Sequence, residues 1–238
     1  MKTKAIIFDK DGTLIDFDAF WVSISKEAVD KILNEIDANN IDADEILKAL
    51  GIHDGVTHIN GVLCYGTYEE MAEVIYNVLK EHGVKIELSK VTKITIDAYH
   101  ESIGVGEIKP ICEGLSKTLE ELKCKGIKLA VVTSDDYFGA KKCLDGLGIT
   151  KYFDKICAND GIHPPKPNPY YIEEMCKEYN LYKEEIVMVG DTLTDTSFAK
   201  NGGIKVIGVA KNESNQNILK EVADCVIPDV SYIFDVIE

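Results

Sequence analysis

Short apolar segments alternate with helix-like segments over the second half of the chain, and this alternation constrains the fold more than any other feature. Five apolar segments have the length of buried strands: residues 127–135, 155–158, 185–192, 204–210 and 224–229. Buried strands separated by helices form a parallel sheet, because each parallel connection needs a long crossover. The pattern therefore predicts an α/β fold with a doubly wound parallel sheet.

The first strand of this sheet is predicted near the N-terminus, far from the others along the chain. Residues 4–8 form an apolar run, after which helical spacing dominates up to residue 105. The first apolar residues with this spacing are Phe17, Phe20, Trp21, Ile24, Ala28 and Ile32. We therefore predict a core domain formed by residues 1–15 and 106–238, with residues 16–105 inserted as an α-helical cap domain.

Charge and composition argue against several classes of partner. The formal net charge is −15, whereas a nucleic-acid partner requires a concentrated positive surface. No apolar run approaches the roughly 20 residues of a membrane span, and the run before Asp9 is too short for a signal peptide. We expect a cytoplasmic monomer or homodimer. All 26 basic residues are lysine, so an anion has to be bound without arginine.

Polar and charged residues stand at the ends of the predicted strands or in the loops that follow them. They are Asp9, Asp11, Thr133, Lys166, Asp191 and Asp195. Because parallel strands end at one edge of a sheet, we expect these side chains to share a crevice. Four carboxylates need more counter-charge than one lysine supplies, and Mg²⁺ suits a site with few carboxylates and several waters. The residues therefore indicate metal-assisted phosphoryl chemistry, with a carboxylate as the candidate nucleophile.

The order and context of these residues closely resemble the four motifs of the haloacid dehalogenase (HAD) superfamily. The matches are Asp9-x-Asp11-Gly12-Thr13, Thr133 after an apolar strand, Lys166 in a Lys-Pro-x-Pro context, and Gly190-Asp191-x-x-x-Asp195. Each motif alone is common, but the four together are specific, and the resemblance covers essentially the whole chain. It implies a Rossmann-like core, and the helical insert is similar to the cap of phosphoglycolate phosphatase-like members.

The resemblance also implies a role for each residue. Asp9 would attack phosphorus, and Asp11 would protonate the leaving oxygen and then activate water. Thr133 would hydrogen-bond the transferring phosphoryl group. The implied substrate-binding residues are Gly12, Thr13, Thr133, Ser134 and Lys166, and the implied metal site consists of Asp9, Asp11 through its backbone carbonyl, Asp191 and Asp195. Asp195 either supports the metal site, holds Lys166 or caps the helix that follows.

The implied activity is Mg²⁺-dependent hydrolysis of a small-molecule phosphate monoester, of the phosphoglycolate phosphatase type. A phosphotransferase of the β-phosphoglucomutase type keeps the same motifs and remains an alternative. A receiver-like signalling module also uses phospho-aspartate, but Asp11, the insert and the chain length argue against it. Asp11 also argues against the dehalogenase branch, which lacks this acid.

Two stretches bear on the choice of substrate. After Thr133 comes Ser134-Asp135-Asp136, where phosphoglycolate phosphatases more often have Asn and Lys. These acids either begin a helix or make the mouth of the site more negative, which would disfavour substrates with a second anionic group. The other stretch, residues 53–67, is predicted as a loop, where His53 and His58 are either substrate contacts or surface histidines.

Overall fold

A computed structural model describes residues 2–237 of the chain. It divides into two compact units. The sheet unit contains the residues up to Asp16 and from Ile108 onward, and the helical unit contains Phe17–Glu107. The interpretation of the helical unit as a cap domain remains a proposal. Among residues 2–237, no helix combines the length and apolar character needed to cross a membrane.

The bounds of the secondary-structure elements follow in chain order. The strands are β1 (Ala5–Phe8), β2 (Ile52–His53), β3 (Val56–Thr57), β4 (Lys128–Asp136), β5 (Lys155–Asn159), β6 (Ile186–Gly190), β7 (Lys205–Val209) and β8 (Cys225–Ile227). The helices are α1 (Phe17–Ile36), α2 (Ala43–Leu50), α3 (Val62–Tyr65), α4 (Tyr68–Glu81), α5 (Leu88–Ser102), α6 (Leu115–Cys124), α7 (Tyr137–Gly146), α8 (Tyr170–Tyr179), α9 (Leu193–Gly202) and α10 (Glu213–Lys220). Short 3₁₀ turns span Ile103–Val105, Thr150–Tyr152, Lys183–Glu185 and Val230–Asp235.

The sheet unit is built on one parallel sheet of six strands in the order β5-β4-β1-β6-β7-β8. Strand β1 is central, and Phe8 pairs with Val131 on one side and Val189 on the other. All four residues of β1 are buried, which explains the continuous apolar run. The predicted doubly wound sheet is confirmed. Because the strand order reverses around β1, the carboxyl ends of β4, β1 and β6 border the crevice where such sheets bind ligands.

The helical unit is held together by its apolar helix faces and by a few buried polar contacts. Helix α1 packs against α5 and α2, and α4 packs against α5 and α2. The Tyr99 hydroxyl of α5 donates to Ser25 Oγ of α1 at 3.2 Å, and both side chains are fully buried. Thr67 and Glu70 form the capping box that begins α4. Asp18 accepts hydrogen bonds from the backbone and hydroxyl of Thr57, which fasten β3 to the start of α1.

One segment differs from the sequence prediction. The predicted loop over residues 53–67 contains the β2–β3 hairpin and the short helix α3. Its turn places Asp54 at φ 52° and Gly55 at φ 78°, the left-handed pair typical of a two-residue hairpin turn. The pattern missed it because each strand has only two residues. The last helix, α10, begins after the N-cap residue Asn212, whose side chain accepts a hydrogen bond from Asn215 N.

We expect Tyr99→Phe to lower the free energy of unfolding of the helical unit by about 1–3 kcal/mol, because the buried Ser25 hydroxyl loses its partner. Urea unfolding of the full chain measures the change. Tyr65→Phe is the matched control, since Tyr65 is 61% exposed. Equal midpoints for the two variants would show that the buried contact contributes nothing.

Candidate active site

The turn after β1 places Asp9 at the carboxyl edge of the sheet. Its backbone N–H donates to Val189 O of β6 at 2.9 Å, which continues the strand pairing by one residue. Gly12 then turns the chain with φ 71°. A Cβ atom at Gly12 would lie 2.0 Å from Asp191 Oδ2. Only glycine therefore fits this position, both for its left-handed backbone and for the carboxylate beside it.

A buried ammonium joins two of the predicted site carboxylates. Lys166 Nζ lies 2.7 Å from Asp9 Oδ1 and 2.7 Å from Asp195 Oδ1. The side chain of Lys166 is 3% exposed, and that of Asp195 is fully buried. Burial by itself would lower the pKa of Lys166, but the charges of Asp195 and Asp9 outweigh burial and raise that pKa. Lys166 is therefore a permanent positive charge beside Asp9.

Asp195 is held in place in the first turn of helix α9. Thr192 is the N-cap of α9, and Asp195 is the third residue of its capping box. Asp195 Oδ2 accepts hydrogen bonds from Thr192 N at 3.1 Å and Thr192 Oγ1 at 2.6 Å. Both oxygens of Asp195 thus accept hydrogen bonds, Oδ2 from the N-cap residue Thr192 and Oδ1 from Lys166. Two of the roles considered from the sequence, capping the helix and holding Lys166, are therefore combined in one side chain.

Asp191 completes a cluster that could hold a cation. One carboxylate oxygen from each of Asp9, Asp191 and Asp195 lies within 4.8 Å of the others. Thr13, fully buried, donates its hydroxyl to Asp191 Oδ1 at 3.2 Å. Three carboxylates around the Lys166 ammonium leave two negative charges, which one divalent cation would balance. Oxygen donors of this kind suit Mg²⁺, so the residues fit the predicted metal.

The electrostatics of the cluster also indicate that it needs more positive charge. Burial raises the pKa of Asp9 to about 7, with the attraction of Lys166 opposing and the charge of Asp195 reinforcing the rise. Burial, together with the charges of Asp9 and Asp195, raises the pKa of Asp191 well above its ordinary value. Protons therefore neutralise part of this cluster when no metal does so.

Asp11 lies beside a second buried lysine, which the sequence analysis overlooked. Lys10 is fully buried, and its Nζ is 2.8 Å from Asp11 Oδ1, 2.7 Å from Asp11 Oδ2 and 3.2 Å from Asp135 Oδ2. Burial would lower the pKa of Lys10, but Asp11 and Asp135 outweigh burial and raise it. Two features of the sequence could have indicated this contact. One is the charged Lys10 so close after a buried apolar strand, and the other is the unusual Asp135 two residues after Thr133.

The residues after Thr133 have separate structural roles. Thr133 is buried, and its Oγ1 accepts a hydrogen bond from Asp135 N at 3.2 Å. Asp136 is the N-cap of α7 and accepts from Gly139 N at 2.9 Å, so it begins a helix as one alternative predicted. Ser134 is exposed. Of Asp135 and Asp136, it is therefore Asp135 whose carboxylate pairs with the Lys10 ammonium.

The two histidines considered from the sequence lie in the helical unit. His53 is exposed on β2. His58 follows β3, and its Nδ1 accepts a hydrogen bond from Asn60 N at 3.3 Å, which stabilises the local turn. A role of either residue in substrate contact remains a prediction.

The fold and the clustered groups define an α/β protein whose site combines a buried lysine with several aspartates at the edge of a parallel sheet. The family model described as haloacid dehalogenase-like hydrolase matches residues 6–209. The chain belongs to this family. The resemblance predicted from the four motifs is therefore confirmed.

Curated relatives support this placement, and a solved structure shares the fold. Pyrophosphatase PpaX of Halalkalibacterium halodurans is 29% identical over 76% of this chain and 85% of its own length. Phosphoglycolate phosphatase of Aquifex aeolicus is 30% identical over 85% and 82%, and glyceraldehyde 3-phosphate phosphatase of Methanocaldococcus jannaschii is 28% identical over 99% and 97%. The crystal structure of a predicted phosphoglycolate phosphatase from Haemophilus somnus 129PT matches the fold with a TM-score of 0.73 and 20% identity, covering 99% of this chain and 98% of that one.

The stability of the metal-free protein is expected to fall as the pH rises through about 7. The raised pKa of Asp9 means that the folded protein keeps a proton that the unfolded chain releases near pH 3.8. The stabilisation from this proton is complete below pH 3.8 and is lost as the pH rises through about 7. Thermal unfolding with a chelator measures the decline, which Asp191→Asn should make shallower by removing one carboxylate. Parallel pH profiles for the two proteins would contradict this account.

Gly12→Ala is expected to abolish activity. It should also destabilise the fold more than the same substitution does at an ordinary left-handed glycine. Gly126→Ala is the matched control, because Gly126 has φ 80° and no neighbour within 4 Å of the added Cβ. The control measures backbone strain alone, about 1–2 kcal/mol. Gly12→Ala adds the contact with Asp191. Unfolding midpoints and phosphatase assays compare the two variants. Equal losses of stability would show that the contact between the added Cβ and Asp191 has no cost.

Proposed function

We propose that this chain is a cytoplasmic, Mg²⁺-dependent phosphatase that hydrolyses a small-molecule phosphate monoester through an aspartyl phosphate on Asp9. The observation that carries the proposal is the buried Lys166 bridge between Asp9 and Asp195, with Asp191 beside it. Family membership and the names of the relatives support hydrolysis of a phosphate compound. They also support the divalent metal, which the carboxylate cluster fits.

In the first half of the reaction, Asp9 attacks phosphorus. Lys166 holds Asp9 through Oδ1, so Oδ2 is the oxygen that would form the new bond to phosphorus. The bond between phosphorus and the leaving oxygen breaks, and a protonated Asp11 gives that oxygen its proton. Lys166 offsets the negative charge of the transferring phosphoryl group, and Thr133 donates a hydrogen bond to that group.

In the second half, water attacks phosphorus of the aspartyl phosphate. Asp11, now ionised, takes the proton of that water, and the bond between Asp9 and phosphorus breaks to release phosphate. Asp9, Asp191 and the backbone carbonyl of Asp11 would hold Mg²⁺, and Asp195 would support them from the Lys166 bridge. When bound, Mg²⁺ offsets the negative charge of the carboxylates and of the phosphoryl group.

The substrate class follows from charge. With no arginine in the chain, a second carboxylate or phosphate on the substrate lacks a bidentate partner. The relatives are named for three different phosphate compounds, so the family does not fix the substrate. We propose a monoester without a second anionic group, which is the class to which glyceraldehyde 3-phosphate belongs.

A phosphotransferase of the β-phosphoglucomutase type would use the same groups but return the phosphoryl group to a sugar. No contact in the described residues favours it over hydrolysis. Release of inorganic phosphate from a panel of phosphate esters, measured with Mg²⁺ alongside isomer formation from sugar phosphates, separates the two. Isomer formation with little free phosphate would overturn the phosphatase proposal.

We expect Asp9→Asn to abolish turnover while the fold survives, because the amide is a poor nucleophile. Asp11→Asn should lower kcat by about 10²- to 10⁴-fold for alkyl phosphates and less for nitrophenyl phosphate, whose leaving group needs little protonation. Asp42→Asn is the matched control, because Asp42 is a helix N-cap that Asn can replace. Near-normal activity of Asp9→Asn with an unchanged unfolding midpoint would exclude Asp9 as the nucleophile.

Activity should require Mg²⁺ and disappear with a chelator, and Asp191→Asn should raise the Mg²⁺ concentration needed for half-maximal rate. The physical reason is the loss of one charged ligand from the cluster. Titration of the initial rate with Mg²⁺ measures the change, again beside Asp42→Asn. If Asp191→Asn and wild type require the same Mg²⁺ concentration, Asp191 is not a ligand.

A further inference from the structure

Lys10 occupies a position that the proposed reaction does not use. Its side chain is fully buried, although an ammonium is costly to bury without partners. Its Nζ contacts both carboxylate oxygens of Asp11, at 2.8 and 2.7 Å. Since the Asp11 side chain is 18% exposed, the ammonium touches its carboxylate from the protein side while part of the side chain still faces outward.

Both the backbone and the ammonium of Lys10 are held in place. The backbone oxygen of Lys10 accepts hydrogen bonds from Leu14 N at 2.9 Å and Ile15 N at 3.0 Å, which hold the residue in the turn. On the far side, Asp135 Oδ2 lies 3.2 Å from Nζ. Asp135 is itself held, because its Oδ1 accepts from Asp136 N at 2.8 Å. Asp135, near the end of β4 and just before α7, thus anchors Lys10.

The two buried lysines contact different carboxylates of the site. Lys166 contacts Asp9 and Asp195, whereas Lys10 contacts Asp11 and Asp135. The proposed nucleophile and the proposed acid–base residue therefore have separate ammonium neighbours. A group that transfers protons must point at the reacting oxygen, and a misplacement of about 1 Å can cost about 10²-fold in rate.

We propose that Lys10, anchored by Asp135, is a positioning residue that orients the Asp11 carboxylate for proton transfer. This inference rests on the proposed function, in which Asp11 is the acid–base residue. It also gives Asp135 a role within the protein. The alternative is a purely structural role, in which Lys10 only offsets the negative charge of Asp11 and Asp135.

The test is a kinetic double-mutant cycle of Lys10→Met and Asp11→Asn, with alkyl and nitrophenyl phosphates as substrates. Lys10→Met keeps the length of the side chain and removes its charge. We expect kcat to fall by about 10- to 100-fold for the alkyl ester and less for the nitrophenyl ester, with KM unchanged. On the Asp11→Asn background, Lys10→Met should cause no further loss.

Two controls accompany the cycle. Lys4→Met removes a half-exposed lysine that pairs with Glu185 at the opposite end of β1, and it should leave kcat unchanged. Asp135→Ala removes the anchor of Lys10 without emptying the buried site. It should show a smaller loss with the same leaving-group pattern, which again disappears on the Asp11→Asn background. This variant decides the question if Lys10→Met does not fold.

The outcomes separate this inference from the proposed function. If the losses from Lys10→Met and Asp11→Asn multiply, or if both esters lose equally, Lys10 acts elsewhere and the inference is overturned. An increase in KM with unchanged kcat would also overturn it, because Lys10 or Asp135 would then act in binding. If Asp11→Asn alone retains full activity, the proposed acid–base role fails first.

Discussion

The Lys166 ammonium is the contact on which the arrangement of the site depends. It is 2.7 Å from Asp9 on the end of β1 and 2.7 Å from Asp195 in the first turn of α9. Two carboxylates could not be buried so close together without it, because like charges in a buried site raise each other's free energy steeply. The lysine therefore joins the loop before α8 to the end of β1 and to the first turn of α9, and it sets the charge around Asp9.

The remaining features of the cluster adapt the backbone to this bridge. Gly12 lets the turn after β1 approach Asp191, and Gly190 has Asp195 atoms 2.5 Å from where its Cβ would stand. The Thr192 capping box then fixes Asp195 while it begins α9. Local helix and turn formation thus place the carboxylates, and their uncompensated negative charge fits the divalent cation of the proposed reaction.

The sequence was informative where the fold depends on periodicity and on short motifs. The parallel sheet and the grouping of Asp9, Lys166 and Asp195 could both be predicted. The β2–β3 hairpin could not be predicted from periodicity, because two-residue strands have no period, although Asp54-Gly55 carried a turn signal. The Lys10–Asp135 contact joins residues far apart in the chain, and only the register of β4 beside β1 brings them together.

The central claim is that Asp9 becomes phosphorylated, and borohydride trapping tests it most directly. The Asp11→Asn variant, which lacks the base for the second step, would be mixed with nitrophenyl phosphate and Mg²⁺, quenched in acid and treated with borohydride. Reduction of an aspartyl phosphate converts the residue to homoserine, which mass spectrometry of the peptides locates. The account predicts homoserine at position 9, and none in the Asp9→Asn variant. Nitrophenol release in a burst, with Asp9 unmodified, would contradict the account.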